Sequence, residues 1–499
     1  MFLAVILIGS LALYQTVPVS FRCGIWGHNV LVNWQDFGFY ALKGQLVYNP
    51  GGYNLPDHPL VYAGHRAFGL YPAYFVDWLF GGCDSGRPFY VAFSLVIGIS
   101  VWWLLGLNLA GMVAAICVIF SPIFTRMVPQ LDLFAIPIFF GIPFLGGIRG
   151  VLEREKLTLG SWALILGIVT VYAPLNWTTI GAFTITLVYL AVALQKQLKN
   201  VLLFALIVGV AGLLVLGLSL ASKVGGGGTR SNIFSMLYNT YLFGPLGYDK
   251  GGMTWIKAIT RLMAANVVGL LPLWLFLCWV VWTVVRWEKK AAWSLALPLL
   301  PLVTAVLFIG GLRNYFAHHP WMAGPVIICG IVFSARLLID RTGSADGPHE
   351  SNAQRDWFRL AVVGLVCFAY GFIVVSVFKI NQAEEDEILL LAKQNTTRRD
   401  VIFFSPKNEP WIAQLPGLMD RALLPFTDEL ANNLSMQHVT CYELTGHALP
   451  GKNTLVAQTE ALPPQGLVAR LLGWYRTHIA KRTPGDRLEA KKLYLYKMQ

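Results

Sequence analysis

The chain has 499 residues, of which 56% are hydrophobic and only 13% are charged, whereas a soluble globular protein carries about 25% charged residues. This composition excludes a soluble enzyme, a disordered chain and a small disulfide-rich secreted domain. The formal charge of +12 does not indicate a nucleic-acid partner, because the basic residues fall mostly in short loops and no basic helix or nucleic-acid motif occurs. What remains is a membrane protein built from many helical spans.

Apolar runs of membrane-spanning length recur along the whole chain. A helix needs about 17 to 25 apolar residues to cross the hydrocarbon core of a bilayer. By this criterion we predict an all-α polytopic membrane protein with about eleven transmembrane helices and with its two ends on opposite sides. The predicted spans are 1–17, 89–106, 108–121, 132–148, 159–174, 178–195, 200–221, 264–285, 291–310, 321–339 and 359–380.

The distribution of Lys and Arg between the connecting loops predicts the orientation of the chain. With the N-terminus in the cytoplasm, the inner loops are much richer in Lys and Arg than the outer loops, which is what the positive-inside rule requires. The first apolar run lacks a basic leader and a small-residue cleavage site, so we expect it to remain as a span. We therefore predict an integral protein of the plasma (inner) membrane with a cytoplasmic N-terminus and an extracytoplasmic, periplasmic C-terminal domain.

Two domains are predicted from the change in composition near residue 380. Residues 1–380 form the transmembrane domain, and its outer loops are 18–88, 222–262 and 311–320. The tail, 381–499, is rich in both acidic and basic residues and contains the β-like run Asp400 to Phe404. We expect this tail to form a small extracytoplasmic α/β domain.

The cysteines allow one covalent link in the first outer loop. Cys23 and Cys83 bracket this loop and would face an oxidising compartment, where a disulfide and two free thiols are both consistent with the sequence. No zinc-binding, ATP-binding or dinucleotide-binding motif occurs in the chain.

Two short motifs carry a family resemblance. Residues 33–40 read Asn-Trp-Gln-Asp-Phe-Gly-Phe-Tyr and are followed by Asp57-His58-Pro59-Leu60 and Tyr71-Pro72; Pro129-Gln130-Leu131-Asp132 opens the fourth predicted span. In order, spacing and sidedness these motifs resemble the GT-C superfamily of membrane glycosyltransferases. The resemblance is to polyprenyl-phosphate-mannose-dependent mannosyltransferases and to protein-mannosyltransferase-like enzymes. The chain departs from the superfamily by having Pro129 where a Gly is frequent.

The resemblance implies an activity. It implies an inverting glycosyltransferase that moves a sugar from a polyprenyl-phosphate donor to an envelope glycan, lipid or protein acceptor on the outer face. One alternative is an O-antigen polymerase or ligase that uses a polyprenyl-diphosphate donor. A flippase or transporter is a further alternative, but the predicted spans carry almost none of the ionisable groups that a coupled transporter needs near the bilayer midplane.

Sugar transfer needs a base for the acceptor hydroxyl, and Asp36 is the predicted catalytic base. The alternative for Asp36 is a solvated loop aspartate or a helix N-cap. Asp57, His58 and Asp132 are predicted to support the acceptor or a cation, and Asp57 and Asp132 are the predicted ligands if Mg²⁺ or Mn²⁺ takes part. An N-cap role is equally consistent with Asp132.

The departing lipid phosphate needs positive charge, and the segment 311–320 supplies it in a short turn. Arg313 presents a planar fork of donors that suits a phosphate, and His318 and His319 follow it. The superfamily that the chain resembles commonly places such a basic residue in a late outer loop. Arg66 and Arg126 are further candidates for the phosphate, whereas anchoring at the membrane interface or a surface role is the alternative for this group of residues.

Overall fold

The structure is a computed structural model. It describes residues 2–17, 26–47, 49–53, 67–80, 86–131, 135–154, 156–172, 179–224, 255–288, 295–312, 316, 319–341, 353–381, 383–405, 421–437, 439–445, 454–458 and 494–498. The chain forms two compact units, of which the first contains 1–12, 90–128 and 132–371 and the second contains 13–89, 129–131 and 372–499. The predicted division into domains at residue 380 stays a prediction.

Helices make up most of the described chain. In chain order they are α1 (Phe2–Thr16), α2 (Trp26–Phe37), α3 (Tyr71–Phe80), α4 (Gly86–Leu104), α5 (Leu109–Ile119), α6 (Pro122–Met127), α7 (Ala135–Leu152), α8 (Leu159–Tyr172), α9 (Thr179–Ala193), α10 (Leu198–Val224), α11 (Trp255–Gly269), α12 (Leu271–Glu288), α13 (Leu300–Gly311), α14 (Ala323–Arg341), α15 (Ala353–Asn381), α16 (Ala383–Asn395) and α17 (Asp428–Met436). Every predicted span overlaps at least one of these helices, so the polytopic helical fold is confirmed.

Helix length supports fewer membrane crossings than the eleven apolar runs predict. Among the described residues, five helical stretches are long and apolar enough to cross a bilayer: 87–104, 135–152, 195–214, 320–341 and 358–377. The bent pair α11 and α12 supplies a sixth if it is one broken span. The other apolar helices are shorter, and α5, with 11 residues, rises only about 17 Å at 1.5 Å per residue. Eleven crossings therefore stay a prediction.

Local sequence fixes the turn between α4 and α5. Gly106 and Leu107 both have positive φ, at 103° and 55°, and this left-handed backbone ends α4. Asn108 then caps α5, because its side-chain oxygen accepts a hydrogen bond of 2.9 Å from the Gly111 N–H.

Charged side chains tie together the C-terminal ends of α7 and α14 in the first unit. Arg149 donates to Glu153 at 2.7 Å, to Asp340 at 2.5 Å and to the Tyr189 hydroxyl at 2.9 Å. Arg336 pairs with the other oxygen of Asp340 at 2.9 Å. These charges lie near the C-terminal ends of helices, where the negative end of the helix dipole stabilises an arginine.

The C-terminal tail forms a mixed sheet in the second unit, which confirms the small α/β fold. Its strands are β1 (Val401–Phe404), β2 (Ala422–Pro425), β3 (Cys441–Thr445), β4 (Thr454–Gln458) and β5 (Tyr494–Lys497). The order is β2-β1-β3-β5-β4. Strand β1 pairs in parallel with β2 and β3, whereas β5 pairs antiparallel with β3 and β4.

Apolar side chains cover both faces of this sheet. On one face α16 contributes Ile388, Leu391 and Ala392, which pack against β-strand residues such as Ile402 and Leu444. The opposite face packs against Leu434 of α17 and Tyr53 of the first loop. Because the strand side chains alternate between the faces, one short strand such as β1 contributes to both clusters.

Helix α14 is the central helix of the first unit, and a close contact with α13 fixes its position. The described α14 side chains are almost all buried, whereas α10 exposes large apolar residues such as Leu202 and Leu213. At Gly330 a Cβ atom would lie 2.9 Å from Ala305 Cβ and 3.0 Å from Leu302 Cα. Small residues at such positions let two helix backbones approach closely.

We predict that Gly330→Ala destabilises the protein, because the added methyl group meets the backbone of α13 as well as a side chain. Overpacking of this kind costs about 1–3 kcal/mol of unfolding free energy. Gly310→Ala is the matched control, since nothing lies within 4 Å of a Cβ at this helical glycine. Thermal unfolding of the purified protein in detergent measures both, and equal midpoints for the two variants would contradict the packing described.

Candidate functional site

Helix α2 positions Asp36, the predicted base. Asn29, Asn33 and Trp34 are buried, whereas Asp36 lies exposed in the last turn of the helix. Gly38 follows with φ +90°, a conformation that favours glycine and ends the helix. Asp36 is therefore not a helix N-cap, and that alternative reading of the sequence is wrong.

The segment after α2 folds back onto an aromatic cluster. The Trp34 indole N–H donates to the Gln45 carbonyl at 2.7 Å, and the Tyr71 hydroxyl donates to the Gly44 carbonyl at 3.3 Å. Burial raises the pKa of the Tyr71 hydroxyl, so this donor keeps its proton at neutral pH. The rings of the cluster, at centroid distances of 5.1–5.7 Å, belong to Trp34, Phe39, Tyr71 and Tyr74.

The buried Asn33 side chain joins three segments of the second unit. Its Nδ2 donates to the carbonyls of Val47 and Asn49 at 2.8 and 3.1 Å. Its Oδ1 accepts a hydrogen bond of 2.7 Å from Nη2 of Arg398. One amide thus bonds to the carbonyls of Val47 and Asn49 and also holds Arg398, which stands in the turn between α16 and β1.

The same arginine forms an ion pair with Asp36. Nη1 of Arg398 donates to Oδ2 of Asp36. The Asp36 side chain is 44% exposed, and that of Arg398 is 14% exposed. Among the described residues, nothing bonds to the second oxygen of Asp36, Oδ1, so the arginine holds one oxygen of a partly exposed carboxylate.

The backbone of Arg398 also touches the first loop. Gly51 has φ +62°, and a Cβ there would lie 2.5 Å from the Arg398 carbonyl oxygen and 3.0 Å from the Ala422 nitrogen. This close approach requires a glycine on both steric and conformational grounds.

The second sequence motif also packs on α2. The His28 ring nitrogen Nε2 lies 3.1 Å from the Pro129 carbonyl oxygen. A Cβ at Gly27 would lie 3.3 Å from the carbonyl oxygens of Gln130 and Leu131. The structure thus brings residues 129–131 to the helix that carries Asp36.

The first unit contains a separate basic site around Arg126. This residue lies in the last turn of α6, and its guanidinium carbon is 4.8 Å from the centroid of the Trp321 ring, a cation–π geometry. Trp321 follows His319, one of the predicted phosphate ligands. Arg126 therefore lies against the residue that follows the predicted phosphate-binding segment 311–320.

Asn266 adds a polar group beside this basic site. Its Nδ2 donates to the Pro320 carbonyl at 3.0 Å. Its Oδ1 is buried and has no partner among the described residues. Asn266 lies on α11 just before the 75° bend between α11 and α12.

Solved structures show which fold this arrangement belongs to. The crystal structure of ArnT from Cupriavidus metallidurans bound to undecaprenyl phosphate is 11% identical, with a TM-score of 0.54 over 92% of this chain and 96% of that chain. The apo structure of ArnT gives a TM-score of 0.52 over 91% and 95%, again at 11% identity. The Archaeoglobus fulgidus oligosaccharyltransferase in complex with zinc and sulfate gives 0.46 over 89% and 67%, at 12% identity. On the two ArnT likenesses, the chain has the GT-C fold.

The GT-C fold was expected from the two sequence motifs, and it is confirmed by structure and not by sequence. No protein-family model matches the chain, and no curated protein matches its sequence. The finer resemblance to mannosyltransferases stays an expectation.

Several predicted site residues lie outside the described part of the chain, so their roles stay predictions. They are Asp57, His58, Arg66, Asp132, Arg313 and His318, together with the cysteines Cys23 and Cys83. Within the described ranges, no three His, Cys, Asp or Glu side chains are grouped as a metal site would require.

Sequence reasoning missed Arg398 and the role of Asn33. Asn33 stands in the quoted motif, three residues before Asp36, and this spacing places two polar residues on neighbouring positions of one helix face. Arg398 gave no comparable signal, because it stands in a polar stretch, Asn-Thr-Thr-Arg-Arg-Asp, with no periodicity.

We predict that Gly51→Ala loosens the packing between the first loop and the Arg398 turn. Gly38→Ala is the control, because φ is positive at both positions but a Cβ at Gly38 meets only Ala41 at 3.7 Å. In both variants, an alanine in the left-handed backbone lowers the free energy of unfolding by about 1–2 kcal/mol. In Gly51→Ala, the clash lowers it by about 1–3 kcal/mol more, and thermal unfolding measures this difference. An unfolding midpoint for Gly51→Ala as high as that of Gly38→Ala would contradict the close approach.

Proposed function

We propose that this protein is an inverting membrane glycosyltransferase that moves a sugar from a polyprenyl-phosphate donor to an envelope glycan, lipid or protein acceptor on the outer face of the membrane. The observation that carries the proposal is the fold likeness along nearly the whole chain to ArnT, which was crystallised with undecaprenyl phosphate. Because one fold hosts many activities, the proposal also requires side chains that can remove a proton from the acceptor and bind the donor phosphate. Asp36 and Arg126 are such side chains.

Asp36 is the proposed general base. Its Oδ1 takes the proton from the acceptor hydroxyl while that oxygen attacks the anomeric carbon, and the bond from this carbon to the phosphate oxygen breaks. A single displacement of this kind inverts the anomeric configuration. Oδ1 has no partner among the described residues, and the carboxylate is partly exposed, which suits contact with an acceptor.

Arg126 is the described residue that best suits the lipid phosphate. A guanidinium offers a planar fork of donors to phosphate oxygens, and the adjacent Trp321 ring suits the boundary between headgroups and acyl chains. We propose that Arg313, His318, His319 and Arg66 supply further positive charge. Asp57, His58 and Asp132 remain the proposed acceptor supports, with Mg²⁺ or Mn²⁺ as the proposed cation.

The orientation belongs to the same proposal. A cytoplasmic N-terminus places the first loop and the C-terminal sheet outside, where nucleotide sugars are scarce and lipid-linked donors are present.

A panel of synthetic undecaprenyl monophosphate and diphosphate sugars tests the donor class on the purified protein. Turnover of a monophosphate sugar supports the proposal, and turnover of diphosphate donors alone indicates the polymerase or ligase alternative.

We predict that Asp36→Asn loses transfer activity without losing the fold. Removing a positioned base lowers the rate about 10²- to 10⁴-fold, whereas the amide keeps nearly the same shape. Asp428→Asn is the control, since Asp428 is an exposed carboxylate on α17. Full transfer of labelled sugar to membrane acceptors by a well-folded Asp36→Asn protein would falsify the assignment of the base.

We predict that Arg126→Ala weakens donor binding. A hydrogen bond to a charged group contributes about 1.5–3 kcal/mol, so KM for the donor rises about 10- to 100-fold. Arg154→Ala, at an exposed arginine in a predicted inner loop, should leave KM unchanged. Steady-state kinetics with the active donor measure both, and an unchanged KM in Arg126→Ala would remove this residue from the donor site.

A further inference from the structure

An arginine from the C-terminal tail reaches the proposed base. Helix α16 ends at Asn395, and β1 begins at Val401. Arg398 stands in the turn between them and lies 362 residues from Asp36 in the chain. The tail therefore places a positively charged side chain against the Asp36 carboxylate.

The turn that carries Arg398 is held on both sides. The Thr397 N–H donates to the Asp400 carboxylate at 2.6 Å. The buried Arg421 donates to the hydroxyl and the carbonyl of Thr396 at 3.0 and 3.1 Å. Together with the close approach of Gly51 to the Arg398 carbonyl oxygen, these contacts fix the point from which the guanidinium projects.

The guanidinium itself bridges two residues of α2. One nitrogen bonds to Asp36, and the other bonds to Asn33 at 2.7 Å. Asn33 is fully buried and is held by the carbonyls of Val47 and Asn49, so it gives the arginine a rigid second anchor. A planar fork can make both bonds at once, whereas a lysine ammonium lacks that geometry.

We propose that Arg398 is a positioning residue for sugar transfer: by holding Oδ2 of Asp36 it directs Oδ1 toward the acceptor hydroxyl. This inference rests on the proposed function. The acceptor proton goes to Oδ1, the acceptor oxygen bonds to the anomeric carbon, and the polyprenyl phosphate leaves with the electrons of the broken bond. Arg398 keeps its own protons and its charge throughout.

The test compares Arg398→Ala, Arg398→Lys and Arg399→Ala in the full-length protein, with an undecaprenyl-phosphate sugar as the probe. Arg399 is the matched control, since it is the exposed neighbour in the same turn. Loss of positioning should lower kcat of Arg398→Ala about 10²-fold, the effect of a misplacement of about 1 Å, with KM nearly unchanged. Arg398→Lys should recover part of kcat, and added guanidinium should raise the rate of Arg398→Ala but not that of Asp36→Asn.

Two kinetic results overturn the proposal. If Arg398→Ala keeps the wild-type kcat, the ion pair does not position the base. If Arg398→Ala turns over faster than wild type, the ion pair restrains the enzyme instead of aligning it.

Hydrogen–deuterium exchange separates this inference from the proposed function. If wild type turns over no donor, the proposed function fails, and exchange in residues 33–47 then decides the role of Arg398. Faster exchange in Arg398→Ala but not in Arg399→Ala shows that the arginine orders the segment around Asp36, as the inference requires. Identical exchange in the two variants overturns it.

Discussion

The contacts around Asp36 depend on the hydrogen bonds of one buried amide, that of Asn33. Asn33 is enclosed by protein, and a buried polar group without partners costs about 1–3 kcal/mol. Its two donated hydrogen bonds hold the backbone at Val47 and Asn49, and its oxygen holds Arg398. Because Arg398 then reaches Asp36, the geometry of the carboxylate follows from the hydrogen bonds of a neutral residue that does no chemistry itself.

The chemistry proposed for Asp36 requires a compromise between fixation and access. An exposed carboxylate samples several rotamers, and a fully paired one has no free oxygen for a substrate. In the described structure the arginine holds Oδ2 and leaves Oδ1 open. Pre-organisation of this kind reduces the entropy lost when the reacting groups align. Partial pairing is therefore compatible with the catalytic role proposed for Asp36.

Local patterns predicted the helical fold and the small C-terminal sheet, whereas the site residues that they named stay predictions. Apolar runs predicted the helical spans, and the run from Asp400 to Phe404 predicted a strand, seen as β1. The motif around Asp36 falls on a described helix, α2, and sequence reasoning did not find Arg398 as the partner of that carboxylate. Arg126 ranked behind Arg313 on sequence grounds, since nothing local showed that Arg126 stacks on Trp321.

The sequence by itself determined where the chain is apolar enough to leave water, because hydropathy is a sum over neighbouring residues and needs no knowledge of distant ones. Only the tertiary structure decided which polar groups meet. Asp36 and Arg398 are separated by 362 residues, and their contact depends on the close approach at Gly51, the amide of Asn33 and the turn that follows α16. Each of these contacts depends on how separate segments pack together, and the sequence of one segment does not determine that packing.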